Sequence, residues 1–410
     1  MAGHTSIPGQ DRRRRRQGIL RASGLQSVHV APETGPRGDV LVLVFLRGGM
    51  DGLHVVPAHG DPHFRPNRPT LAPPEPGRPG GVVDLDGHFG LHPDLAPLSE
   101  LFAAKELALV HASGSPDRTL SHFEAMQTAE RGVSDGESVA TGWLARHLNS
   151  APSRSDSPMR AVAISDTLPK SLEGALGALA VNSIAEYRLR VPDHWGTGFT
   201  SLLTQLYGGG DDSLAAAGRN TLRLAHRLES LVASAYQPAG GATYPGGAFG
   251  DGLKEVARLI KADVGLEIAQ VDLGGWDAHA VQSALVAPLM EQLGRGLRAF
   301  HADLGDRMRT VTVVAMSEFG RRVQENAGAG TDHGRGTVTL VLGGGIRGGR
   351  VYGRWPGLAP AQLDTDGNLR VTTDFRDILA EIVAQRLGNP RLSSVFPNHT
   401  ARFLGLADPS

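Results

Sequence analysis

Acidic and imidazole side chains gather at three places in this chain, each directly after an apolar run. These are Gly48-Gly49-Met50-Asp51-Gly52, Gly274-Gly275-Trp276-Asp277-Ala278-His279, and Ser317-Glu318-Phe319-Gly320 with the nearby Thr331-Asp332-His333-Gly334. Carboxylate oxygens and imidazole nitrogens meeting at one point are the ligand set of a divalent cation. The chain contains no Cys, which excludes disulfides, thiolate ligands and a Cys nucleophile. The remaining donors suit Zn, Mn, Mg or Ca better than softer ions, with one or two ions per site. The candidate ligands are Asp51, Asp272, Asp277, His279, Glu318, Asp332 and His333.

Each candidate also has a purely structural explanation. Asp51 between glycines is the usual composition of a tight turn. Asp277 and His279, two residues apart, reach one ion only if their loop stays extended, and Trp276 just before them reads as packing. A buried Glu318 needs a cation or a guanidinium, and Arg321 and Arg322 are the competing partners. Arg335 and the backbone amides of the 334–337 turn suit an anion. The candidate nucleophile is Ser121, at the amino end of a helix, where it also forms a Ser-x-x-Glu capping box with Glu124. His122 beside it is a ligand, a general base or a packed ring, and His111, Ser113 and Thr119 lie near in sequence.

The elements that must position these groups read as alternating strands and helices. The aliphatic run at 39–45 has the pattern of a strand buried on both faces of a parallel sheet. Further strands are expected at 107–111, 160–164, 266–273, 310–316 and 338–342. Helices are expected at 94–104, 121–131, 212–235, 248–261, 288–304 and 374–387, the last capped by Asp374. The Pro- and Gly-rich stretch 57–81 reads as a long surface excursion without regular structure. This pattern predicts an α/β fold, a three-layer α/β/α sandwich with a mostly parallel central sheet. Ligands in such sheets bind beyond the carboxyl ends of the strands, which is where the polar clusters fall.

Composition narrows the function. The 410 residues are 40% hydrophobic but only 5% aromatic, which suits a large aliphatic core. A net charge of −1 provides no global field for nucleic acid or an anionic membrane surface. No run approaches the ~18–20 apolar residues of a membrane span. Residues 1–38 form a basic tail, with an unbroken arginine run at 12–16 followed by a short apolar stretch that Arg21, Gln26 and His29 interrupt. It reads as a solvated tail or a degenerate twin-arginine export signal. The missing hydrophobic half favours a cytoplasmic location, and residues 39–410 are expected to form a single elaborated domain.

At the same residues the chain resembles the domain of unknown function 1501 family, within the alkaline phosphatase-like superfamily that includes sulfatases and phosphoglycerate mutases. The matching segments are Phe45-Leu46-Arg47-Gly48-Gly49-Met50-Asp51-Gly52-Leu53, Ser121-His122-Phe123-Glu124-Ala125, Gly142-Trp143-Leu144-Ala145-Arg146, Asp272-Leu273-Gly274-Gly275-Trp276-Asp277-Ala278-His279, Met316-Ser317-Glu318-Phe319-Gly320-Arg321, Thr331-Asp332-His333-Gly334 and Gly348-Gly349-Arg350-Val351-Tyr352-Gly353. The resemblance implies an alkaline phosphatase-like fold and a metal-dependent hydrolase of small anionic phosphate or sulfate esters. A Ser nucleophile would work between two ions, with export by the twin-arginine route in most members. It implies Asp51 as the first-strand ligand, Ser121 as the nucleophile, Asp272 or Asp277 with His279 as the middle pair and His333 as the late ligand. The chain departs from the superfamily pattern in carrying Glu318-Phe319 where Asp-His is common, and in an Asp272–His279 spacing longer than Asp-x-x-x-His. A single-ion site, or a catalytically inactive metal-stabilised binding or assembly protein on the same scaffold, is the alternative.

Overall fold

The structure is a computed structural model that describes residues 39–134, 137, 139–151, 157, 159–186, 196–209 and 212–410. The tail at 1–38, with its arginine run, lies outside the described residues. In chain order the strands are β1 (Val40–Arg47), β2 (Val83–Asp84), β3 (Gly90–Leu91), β4 (Leu107–Gly114), β5 (Ala161–Ile164), β6 (Ala178–Val181), β7 (Ile268–Gly274), β8 (Val311–Met316), β9 (Thr337–Gly343), β10 (Arg350–Tyr352) and β11 (Thr373–Asp374). The helices are α1 (Gly52–Val55), α2 (Phe64–Asn67), α3 (Ser99–Ala103), α4 (His122–Arg131), α5 (Trp143–Ser150), α6 (Gly196–Gly208), α7 (Ser213–Ala233), α8 (Ala248–Lys261), α9 (Gln282–Leu304), α10 (Phe375–Gln385) and α11 (Leu392–Val395).

β1 sits near the middle of a nine-stranded sheet ordered β10-β4-β9-β8-β1-β7-β5-β6, with β11 also paired to β4. It pairs in parallel with β7 on one side and β8 on the other. Only β9 opposes the common direction, running antiparallel to both β4 and β8. The carboxyl ends of β1, β4, β7 and β8 and the amino end of β9 therefore share one edge of the sheet.

Alternation along β1 explains the layers. Val42, Val44 and Leu46 join one apolar cluster with Leu253, Val256 and Ala257 of α8 and Met290, Leu293 and Leu297 of α9. Leu41, Leu43 and Phe45 join the other, with Trp143 and Leu144 of α5 and Ile378, Leu379 and Ile382 of α10. Both faces are covered, so the architecture is a mixed α/β, three-layer sandwich with a mostly parallel sheet, as the strand pattern predicts.

Several elements depart from the sequence reading. Pro97 breaks the expected 94–104 helix, leaving a 3₁₀ segment Pro93–Leu98 ahead of α3. The helix expected at 288–304 begins at Gln282 as α9, with Pro288 tolerated inside it. The Pro-rich excursion holds one helical turn, α2, and places fully buried Arg68 directly after it. Among the described residues no helix is long and apolar enough to cross a membrane.

Candidate metal centre

β7 ends at Gly274, and the loop beyond it turns on Gly275, with φ +100°, to present Asp277 and His279. Trp276 anchors this loop: it is buried, and its indole N–H donates to the Leu273 carbonyl at 3.0 Å. Gly48 makes the approach possible, because a Cβ there would lie 2.6 Å from the Asp277 nitrogen. The loop after β8 folds back on the segment leading into β9, through a bridge between Arg321 and His333 and a bond from the Arg322 N–H to the Asp332 carbonyl at 2.9 Å. That fold-back delivers His333. His122 arrives from the first turn of α4, after β4.

The side chains converge on Asp277. His122 Nε2 lies 3.4 Å from Asp277 Oδ2, while His279 Nε2 and His333 Nε2 lie 3.0 and 3.3 Å from Asp277 Oδ1. Ligand atoms of His122, Asp277 and His333 all fall within 4.8 Å of one another. Each ring is oriented from behind. His122 Nδ1 is 2.7 Å from Glu318 Oε1, His279 Nδ1 is 3.2 Å from Asp332 Oδ1, and His333 Nδ1 is 2.7 Å from the Leu120 carbonyl oxygen. All three partners only accept, so each Nδ1 carries the hydrogen and each Nε2 turns a lone pair inward.

The inward atoms have the character of a cation site. His122 Nε2 is buried and has no hydrogen-bond partner. His279 Nε2 and His333 Nε2 face each other at 2.9 Å beside the Asp277 carboxylate, so a proton or a metal ion is needed to reconcile the two lone pairs. Partial burial works against ionisation of Asp277, but the Arg321 guanidinium at 2.6 Å, with His122 and His333, pulls its carboxyl down to about 2. Burial, reinforced by the charge of Arg321, holds His333 below the usual imidazole range and keeps it neutral. Imidazole nitrogens with one carboxylate, and no thiolate, are the donor chemistry of zinc and its neighbours. The residues present fit the ion that the sequence pattern anticipates.

The other candidates stand apart from this convergence. Asp51 caps α1, accepting from the amides of Leu53 and His54 at 3.2 and 3.3 Å. Its second oxygen takes Arg68 Nη1 at 2.5 Å and Gln282 Nε2 at 2.7 Å. Burial would raise this carboxyl, yet the Arg68 guanidinium holds it below its ordinary value. Asp272 binds Arg47 Nε at 2.6 Å and Gln270 at 3.1 Å. Glu318 is buried and, instead of an arginine, receives the amides of Gly48 and Gly49 at 2.9 and 3.0 Å, the Ser317 hydroxyl at 2.9 Å and His122. Asp332 stands behind His279, with Asn326 also donating to it at 3.2 Å.

The expected capping box does not form. Ser121 occupies the N-cap of α4 but its side chain caps nothing, and Glu124 takes the Thr119 hydroxyl at 2.6 Å instead. The Ser121 hydroxyl is thereby left exposed between Leu120 and His122, both of which touch the cluster. The amides proposed as an anion cradle are largely spent: Gly334 N–H donates to the Gly320 carbonyl at 2.9 Å and Gly336 N–H to the Leu369 carbonyl at 3.1 Å. Arg335 donates to the Pro116 carbonyl at 2.8 Å and lines a small pocket with Glu318, Phe319 and Thr119, its Nε buried without a partner.

Arg321 is the residue whose role the sequence concealed. Read as a partner for Glu318, it is almost wholly buried and instead ties the carbonyls of Gly49, Thr331 and Gly48 at 2.7, 3.0 and 2.6 Å to Asp277. One guanidinium thus locks the loops after β1, β7 and β8 together.

Solved structures with some likeness include the C-terminal periplasmic domain of EptC from Escherichia coli in complex with Zn, at 10% identity over 91% of this chain and 92% of that chain with a TM-score of 0.39. The alkaline phosphatase of the Antarctic bacterium TAB5 follows at 10% identity over 76% and 93%, with a TM-score of 0.31. The PsFucS1 sulfatase from Pseudoalteromonas has 11% identity over 92% and 71%, with a TM-score of 0.36. Likeness at these levels transfers neither an activity nor a metal. No curated protein matches the chain significantly. A family model does match it, over residues 104–408, and on that match the chain belongs to the family described as protein of unknown function (DUF1501).

Proposed function

We propose that this protein is a metal-dependent hydrolase of small anionic phosphate or sulfate esters, with one divalent ion held by His122, Asp277, His279 and His333. The observation that carries the reading is the inward set of imidazole Nε2 atoms around Asp277, each ring fixed by an acceptor behind it. The chemistry supplied there by a bound divalent ion is Lewis-acid polarisation of the ester and neutralisation of charge on the departing oxygen. Ser121 is the nucleophile in this reading, since its hydroxyl is exposed, caps nothing and adjoins ligand His122. Glu318 and Asp332 hold His122 and His279 in the ligating tautomer. Arg335, whose Nη1 faces Asp364 at 3.6 Å while its Nε has no partner, offers the rest of its charge to the substrate's anionic group.

A second reading, a metal-stabilised binding or assembly protein without turnover, is favoured by one feature. Asp51, which the resemblance implies as a ligand, and Glu318, which stands where Asp-His is common, have their charges met by Arg68 and by His122 with backbone amides. One experiment separates the two. Zinc-loaded protein is assayed against aryl phosphate, phosphodiester and aryl sulfate, beside Ser121→Ala. Hydrolysis that Ser121→Ala reduces by about 100-fold or more supports the esterase. Stoichiometric zinc without hydrolysis supports the binding protein, and hydrolysis unchanged by Ser121→Ala removes Ser121 from the reaction.

A further inference from the structure

Phe319 is only 4% exposed, yet among the described residues it joins neither of the two apolar clusters that cover the faces of the sheet. Its ring lies instead against two imidazoles of the candidate metal centre. The Phe319 centroid is 4.7 Å from that of His122, with the planes 32° apart, and 5.1 Å from that of His333, with the planes 41° apart. His122 and His333 stand 4.3 Å from each other, nearly edge to face at 74°. The three rings close a triangle. Two of its corners are candidate ligands, and the third has no donor atom to offer an ion.

The backbone on either side of Phe319 is fixed independently of these ring contacts. Glu318, just before it, receives the amides of Gly48 and Gly49 at 2.9 and 3.0 Å. The Gly320 N–H, just after it, donates to the Arg335 carbonyl at 3.0 Å. Gly49, at φ +66°, leaves room for the ring, because a Cβ there would lie 2.5 Å from Phe319 Cε2. The ring is thus wedged between the loop after β1 and the two imidazoles.

The acceptors behind His122 and His333 leave one freedom open. A hydrogen bond at Nδ1 sets the tautomer, but the ring still turns about that bond, and Nε2 swings with it. An imidazole packed against the face of a wedged Phe cannot turn in this way. We propose that Phe319 is a positioning residue for the metal centre: its ring fixes the planes of His122 and His333 together, so that both Nε2 atoms stay aimed at one divalent ion. The two histidines come from separate segments, one after β4 and one before β9, and Phe319 is a single side chain in contact with both. This inference rests on the metal-centred reading above and adds to it a residue that touches no ion.

The test reads the ion rather than turnover. Zinc affinity of the full chain is measured by competition with a chromophoric chelator. Cobalt(II) is loaded in parallel, because its visible absorption reports the number and geometry of its ligands. Both are read in wild type, Phe319→Leu and Phe319→Tyr; Leu keeps the apolar bulk without a flat face, and Tyr keeps the face. Phe319→Leu should bind zinc about 10–100-fold more weakly, with altered cobalt bands, while its metal-free form stays folded by circular dichroism and Phe319→Tyr stays close to wild type. Wild-type zinc affinity and cobalt bands in Phe319→Leu overturn the positioning role and leave the metal reading standing. Equal weakening in both variants, or a metal-free Phe319→Leu that unfolds, assigns Phe319 to general packing and also overturns it. A wild-type chain that binds no zinc overturns both.

Discussion

Glu318, which reads in sequence as a ligand, stands in the structure behind His122 and orients its ring. Its carboxylate is saturated by two backbone amides, a serine hydroxyl and His122 Nδ1. Glu318→Gln keeps the shape but weakens the grip on the ligating tautomer. Zinc affinity should fall by about 10–100-fold, as expected for loss of an outer partner, with thermal stability little changed. An affinity equal to wild type, by competition with a chromophoric chelator, would remove Glu318 from that role. The residue types at the site were legible in the sequence: Asp277, His279 and His333 were all readable from short motifs after apolar runs. Which of them face inward and which stand behind was not, because it depends on which ring nitrogen faces which acceptor. His122 illustrates the limit, since a histidine beside a helix cap reads equally as ligand, base or packed ring until Glu318 and Asp277 are found on opposite sides of it.

At the scale of elements, the loops that carry the site are held by backbone geometry as much as by side chains. Gly48, with φ +120°, lies so close to the loop after β7 that an added Cβ would stand 2.6 Å from the Asp277 nitrogen and 3.0 Å from that of Trp276. Gly48→Ala should therefore cost about 1–3 kcal/mol by chemical denaturation and weaken zinc binding, because the backbone cannot relax without moving Asp277. A variant with wild-type stability and zinc affinity would show that the two loops are not coupled there. The strands were readable because their aliphatic runs are long and buried on both faces, as in β1, β7 and β8. Short elements escaped. α5 begins at Trp143 with Gly142 rather than a polar cap before it, and β6 and β10 are too brief for periodicity to register. The absent Ser121–Glu124 box shows the opposite failure, where a correct local pattern lost to the competing Thr119 hydroxyl.

For the molecule as a whole, buried histidines set the response to acid. Burial pushes His54 down to about 3 and His111 down to about 4, in spite of Asp51 near His54 and the Val56 carbonyl at His111. Both are neutral when folded, while the unfolded chain gains protons near 6.5, the ordinary imidazole value. Their contribution is complete above pH 6.5 and is lost as pH falls towards 4 and 3, each proton adding a slope of about 1.4 kcal/mol per pH unit. Urea midpoints should drop steeply between pH 6 and 4, and His54→Phe should flatten that slope by about one proton's worth. An unchanged slope would show that His54 titrates normally in the fold. At this scale the layered α/β/α architecture was the most legible feature, because alternating buried strands and amphipathic helices leave few other arrangements. The account depends most on whether His122, Asp277, His279 and His333 share one ion. Elemental analysis of the full chain after zinc loading and exhaustive dialysis measures this directly. It should find about one zinc per chain in the wild type and almost none in a variant combining Asp277→Asn with His333→Ala. Equal zinc in both, or none in the wild type, would contradict it.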